Sequence, residues 1–135
     1  MSIKIGYDFN KNELLKDKDL TINQKEKDLL EQIINAIIDE FIISDFNIVK
    51  NCNDYSTLQY KQRDLVRIKY TNNSKWISLL MVDKKCKEDN INNPIFENEK
   101  NKNKLHWKSL LNNDDIHVYI PLIIKNCEYI NNLDD

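Results

Sequence analysis

The chain has 135 residues, 41% hydrophobic and 31% charged, with a formal net charge of −2. This is the size of one domain with a small core, so residues 1–135 are read as a single unit, and the balanced charge excludes bulk attraction to nucleic acid or a membrane surface. Gly6 is the only glycine, which excludes the glycine-rich dinucleotide-binding, P-loop and nucleophile-elbow signatures, because each needs backbone free of side chains at several positions.

The first 20 residues mix a short apolar alternation, Ile3, Ile5 and Tyr7, with a charged run. They are read as a loosely attached segment containing an edge strand. This stretch has no apolar core of signal-peptide length, and nowhere in the chain do about 18 consecutive apolar residues occur, as a membrane span requires. The expectation is a cytoplasmic protein with no membrane partner. Thr21 followed by Gln24 reads as a capping box, and Leu29, Leu30, Ile33, Ile34, Ile37, Ile38, Phe41 and Ile42 then recur at helical spacing.

Four strands follow, at Phe46 to Asn51, Thr57 to Gln62, Leu65 to Tyr70 and Lys75 to Val82, joined by short polar turns. The third and fourth carry the clearest register. With Asn72 and Asn73 in the turn, Tyr70 faces Lys75, Lys69 faces Trp76, Ile68 faces Ile77, Arg67 faces Ser78 and Val66 faces Leu79. One side is apolar; the other displays Arg67, Lys69, Trp76 and Ser78. From Asp83 to Lys104 the chain is polar and without periodicity, and is read as a long loop anchored by Pro94, Ile95 and Phe96.

Leu105 to Leu110 adds a possible fifth strand, bringing His106, Trp107 and Lys108 to the same sheet. Asn113 or Asp114 then caps a C-terminal helical region with Ile116, Tyr119, Ile120, Ile123, Ile124, Cys127 and Ile130 on its apolar side. Pro121 should confine the first part to a short turn and leave the main helix after it. The fold class is therefore α+β: an antiparallel sheet of four to five strands with an N-terminal and a C-terminal helix on one face.

Charge is unevenly placed along this plan. Residues 1–50 hold 7 Lys and 10 Asp or Glu, residues 51–110 hold 12 Lys or Arg and 7 acids, and residues 111–135 hold 1 Lys and 5 acids. An anionic partner is expected at the basic middle. Arg67 and Lys69 beside Trp76 combine cations with a flat aromatic surface able to hold a carboxylate or stack a base, and equally able to be a Trp sheltered by aliphatic stems. The aromatic pattern of an RRM-type RNA-binding sheet is missing. Cys52, Cys86 and Cys127 have no C-x-x-C spacing, and His106 and His117 have no ligand-spaced partner, so neither a disulfide framework nor a zinc site is indicated.

Asp64 with Asp83, Lys84 and Lys85 resembles the D…(D/E)-x-K pattern of restriction-endonuclease-like nucleases. In that register Asp64 lies opposite Met81 on the apolar side. The resemblance implies Asp64 and Asp83 as Mg²⁺ ligands, Lys85 positioning the attacking water, and Glu31 or Glu40 as a further ligand; no Pro precedes Asp64, a departure from the pattern. In general character, a small glycine-poor chain with acidic ends and no catalytic motif, it is similar to phage or mobile-element proteins that inhibit host defence, such as anti-CRISPR proteins. That resemblance implies a non-enzymatic protein, with no cofactor, that binds a protein or nucleoprotein target through the sheet face and the 83–104 loop. A sheet face that binds nucleic acid directly is the remaining alternative.

Overall fold

A computed structural model of the chain describes residues 2–5, 7–8, 13–14, 23–42, 45–51, 55–97, 99–111 and 115–133. The strands are β1 (Ser2–Ile5), β2 (Tyr7–Asp8), β3 (Glu13–Leu14), β4 (Phe46–Asn51), β5 (Ser56–Tyr60), β6 (Arg63–Tyr70), β7 (Lys75–Leu80) and β8 (His106–Leu110). The helices are α1 (Gln24–Ile37), α2 (Lys84–Asn90) and α3 (Ile120–Leu133), with 3₁₀ turns at Pro94–Phe96 and His117–Tyr119. The five strands of the expected meander are all present and antiparallel, and β1 joins β4 to make the sheet order β1-β4-β5-β6-β7-β8. β2 and β3 form a separate two-stranded pair.

The helix α1 buries Leu29, Leu30, Ile33, Ile34 and Ile37, the i, i+3, i+4 stripe of an amphipathic helix, against the sheet. Its N-cap is Asn23, whose side-chain oxygen accepts from the backbone N–H groups of Lys25 and Glu26. Thr21 lies outside the described residues. The helix stops at Ile37, earlier than the apolar pattern suggested: Phe41 leaves the helix to pack edge-on against Phe46 and Tyr60, and Ile42 is exposed.

Helices α1 and α3 pack on each other and on β6, covering Ile48, Leu58, Val66, Ile68, Ile77 and Leu79. Pro121 sits in the first turn of α3, where a missing N–H breaks no helical bond, and the 3₁₀ turn His117–Tyr119 precedes it. Asn113 and Asp114 lie outside the described residues. No helix among the described residues is long and apolar enough to cross a membrane.

The segment 83–104 departs from the loop reading. Asp83 accepts from the backbone N–H of Cys86 and caps α2, which buries Cys86 and Asn90; Pro94–Phe96 forms a 3₁₀ turn that delivers Phe96 into the core beside Trp107. A seven-residue helix leaves too few apolar positions to establish a period, so the sequence pattern shows only the Pro94, Ile95 and Phe96 anchor that follows it.

A polar cluster ties the start of α1 to the sheet. Glu26 is 1% exposed; its carboxylate accepts from the Ser56 hydroxyl at 2.7 Å and the Tyr70 backbone N–H at 3.0 Å, while the Asn23 amide donates to the Tyr70 carbonyl. Truncating the Glu26 side chain strands a buried hydroxyl and a part-buried backbone N–H, and a buried group left unmade costs about 1–3 kcal/mol. Glu26→Ala should therefore lower the unfolding free energy by about 2–4 kcal/mol in a urea titration, and a loss below about 0.5 kcal/mol would contradict this role.

Candidate functional groove on the open sheet face

The β6–β7 hairpin has the register read from sequence, with Arg67 opposite Ser78 and Lys69 opposite Trp76, closed by the Thr71 N–H donating to the Ser74 carbonyl. Strand β8 continues it, setting Lys108 opposite Ser78 and His106 opposite Leu80. Alternation then places Arg67, Lys69, Trp76, Ser78, His106 and Lys108 on the face away from the helices. All six line one concavity of about 560 Å³, together with Tyr55, Glu99, Lys104 and Leu105.

Trp107 does not belong to it. It lies opposite Leu79, on the helix side, is 0% exposed, and meets Phe96 edge-on at 5.6 Å between ring centroids. Its indole N–H donates to the Lys104 carbonyl, and the Lys102 ammonium rests 4.6 Å from its ring centroid. Period-two alternation in His106-Trp107-Lys108 separates the middle residue from its neighbours, so Trp107 is a core residue and not part of the open face.

Asp64 also changes sides. Register shifts between Leu58 and Gln59: Leu58 pairs with Val66 but Gln59 pairs with Asp64, leaving Leu65 without its own β5 partner. This bulge lets Leu65 and Val66 both be buried and turns Asp64 onto the open face. There its carboxylate takes an ion pair from Arg67 at 2.8 Å and a hydrogen bond from the Gln59 amide at 2.9 Å. Asp83 is the α2 cap and Lys85 is exposed on the first turn of that helix. The two acids thus have separate local partners, and no group of three or more His, Cys, Asp or Glu suited to a metal ion occurs among the described residues. Glu31 pairs with Lys27 at 3.6 Å along α1, and Glu40 lies beyond the end of that helix.

Across the groove runs a ladder of cations and rings. The Arg67 guanidinium lies 5.4 Å from the Tyr55 ring centroid, Tyr55 meets Trp76 at 5.7 Å with a 54° tilt, and the Lys108 ammonium sits 4.4 Å over Trp76. Tyr55 approaches from the β5 side and Lys108 from the β8 side. Lys108 is exposed, and a cation on an indole face in that setting contributes only about 0.5–1 kcal/mol. Four cations, Arg67, Lys69, Lys104 and Lys108, and one carboxylate, Glu99, line the groove, and Asp64 pairs with Arg67 from outside that lining.

The acids are held ionised. Burial pushes Glu99 up, but the backbone N–H groups of Asn101 and Lys108 and the Lys104 ammonium more than offset it, leaving the carboxyl below its ordinary value. Burial likewise opposes ionisation of Asp64, and Arg67 and Gln59 reverse the balance. His106 is displaced downward by burial and by the Arg67 charge, despite its contact with the Asp64 carbonyl. That carbonyl, 2.9 Å from Nε2, only accepts, so neutral His106 carries its proton on Nε2 and donates.

Sequence reading missed Tyr55, Glu99, Lys104 and Leu105. Tyr55 precedes the strand by one residue, and the other three sit where a turn beside β8 folds back on the groove rim, a return that no local pattern announces. Cys86 and Cys127 are buried free thiols, Cys127 pushed up to about 12 by burial and the Glu128 charge, so neither is a poised nucleophile. Cys52 lies outside the described residues. No family model, curated protein or solved structure matches the chain.

A histidine held below its ordinary 6.5 in the folded state binds fewer protons there than in the unfolded chain. Its contribution is lost as pH falls below about 6.5, where the unfolded chain protonates. Asp64 and Glu99 act lower, losing their contribution only as pH falls from their ordinary values of 3.8 and 4.5 through the depressed folded ones. Unfolding free energy should decline between pH 7.5 and 5, and His106→Gln should flatten that decline while preserving the steeper loss below pH 4. Parallel pH profiles for the two proteins would rule out His106 as the group responsible.

Proposed function

We propose that this chain is a non-catalytic binding domain that engages a protein or nucleoprotein partner through the open sheet face. The observation that carries this reading is the convergence of Arg67, Lys69, Trp76, Ser78, His106 and Lys108 on one concave surface. Hydrogen bonds keep Glu99, which lines the groove, and Asp64, which holds its Arg67, as fixed carboxylates whose partners include Lys104 and Arg67. Among the described residues the thiols Cys86 and Cys127 are buried, and His106 donates to a backbone carbonyl, so the groove offers complementarity to a ligand without a nucleophile and base in contact.

The partner surface that fits is anionic, because cations outnumber carboxylates around the groove while the chain as a whole is nearly neutral. A specific form of this reading is an inhibitor of the phage or mobile-element type that covers a nucleic-acid-targeting defence protein or its bound nucleic acid. The turn from Glu99 to Leu105 supplies the groove rim in that reading, so the end of the 83–104 segment takes part.

Lys69→Glu combined with Lys108→Glu reverses two exposed-face charges without touching the core. In capture experiments from the native host, the partner bound by the natural chain should be lost with the double variant, by at least tenfold, while a control reversal on α2, Lys84→Glu with Lys85→Glu, retains it. Equal capture by both charge-reversed proteins would refute the groove as the interface.

A further inference from the structure

We propose that the ligand of this groove is single-stranded nucleic acid, one base of which replaces the Lys108 ammonium on the Trp76 ring. The proposal rests on the groove being the binding surface and names what enters it. Trp76 is flanked by Tyr55 on the β5 side, at 5.7 Å, and by Lys108 on the β8 side, at 4.4 Å. The Tyr55 side is fixed: that ring is itself packed beneath the Arg67 guanidinium, which Asp64 holds. The Lys108 side is not, since the side chain is exposed and extends from a five-residue edge strand.

Relative magnitudes favour the exchange. An exposed cation on an indole is worth roughly two- to fivefold in an equilibrium, whereas stacking one base on an aromatic side chain is worth roughly five- to 150-fold. The displaced ammonium remains tethered within reach of the adjoining phosphate, so the same event opens a stacking surface and places a cation against the backbone. The groove volume of about 560 Å³ falls within the range of small-ligand sites, enough for one nucleotide. One carboxylate, Glu99, lines the groove and a second, Asp64, pairs with its Arg67, and both oppose a phosphate. Asp64 is paired with Arg67 and Gln59, and Glu99 with Lys104 and two backbone amides, so each faces its own donors. An acidic peptide would satisfy the cations equally well but has no planar group to exchange for the ammonium.

Tetranucleotides of thymidine and of uridine, an abasic strand of equal length and tetraglutamate are titrated into the full chain. The indole N–H resonances are followed by NMR, with buried Trp107 as the internal reference. Either tetranucleotide should shift the Trp76 resonance and leave Trp107 in place, while the abasic strand binds at least fivefold more weakly. Trp76→Leu should reduce affinity at least fivefold with an unchanged salt slope, and Trp76→Phe should restore most of it. Lys108→Ala should instead reduce the slope of log affinity against log salt by about 0.7, the signature of one lost phosphate contact to a single strand. Equal binding of the abasic strand, tighter binding of tetraglutamate, or no Trp76 shift at low salt would overturn the proposal. If the Lys69 and Lys108 reversal still abolishes partner capture in that event, the groove remains a binding surface and only its ligand class is wrong.

Discussion

The groove depends on a single register shift. In a β-strand a one-residue slip sends every side chain to the opposite face, and here the slip is confined to Leu58/Gln59 against Val66/Asp64. On the β7 side of that point, Val66 and Ile68 stay under the helices and Arg67 and Lys69 stay outside. On the turn side, Asp64 comes round to Arg67. Without the bulge that carboxylate would lie beneath the helices, and Arg67 would lose the anchor that holds it over Tyr55. Next to the bulge, the two-residue turn between β5 and β6 has Lys61 and Gln62 at φ values of 50° and 68°. Left-handed conformations without glycine are costly, and here they close a two-residue turn that pairs Tyr60 with Arg63.

The same turn explains where the chain was readable and where it was not. Alternation around Asn72 and Asn73 made the β6–β7 register legible to the residue, because both the turn residues and the period pointed to one pairing. Lys61 and Gln62 carry no turn signature, so the pattern runs β5 on to Gln62 and starts β6 at Leu65 instead of Arg63, and alternation carried back from the β6–β7 hairpin through the bulge puts Asp64 on the wrong face. Trp107 was grouped with His106 and Lys108 by proximity although strand geometry separates them. Helix α1 was legible in its stripe but not in its end, since Phe41 serves an aromatic cluster with Phe46 and Tyr60 that only the tertiary fold assembles.

The two faces are stabilised by different physics. On the helix side, aliphatic stripes from α1 and α3 meet the sheet and the buried carboxylate of Glu26 fixes the helix entry against Tyr70. On the open side there is little hydrophobic burial to hold side chains, and order comes from ion pairs, amide contacts and rings stacked with cations. Such contacts are individually weak and exchangeable with water or with a ligand. Contacts of this kind can be exchanged one at a time, whereas the packed side chains of the covered face hold one another in place.

The edge formed by β8 adds one more property. Its Lys108 backbone N–H, directed away from β7, is taken by the buried Glu99 carboxylate, so a side chain stands where another strand's carbonyl would bind. A five-residue edge closed by its own carboxylate is a poor template for strand addition. At this edge an incoming strand would first have to displace a carboxylate from the N–H it needs, so the rim beside the open face carries its own guard against strand pairing.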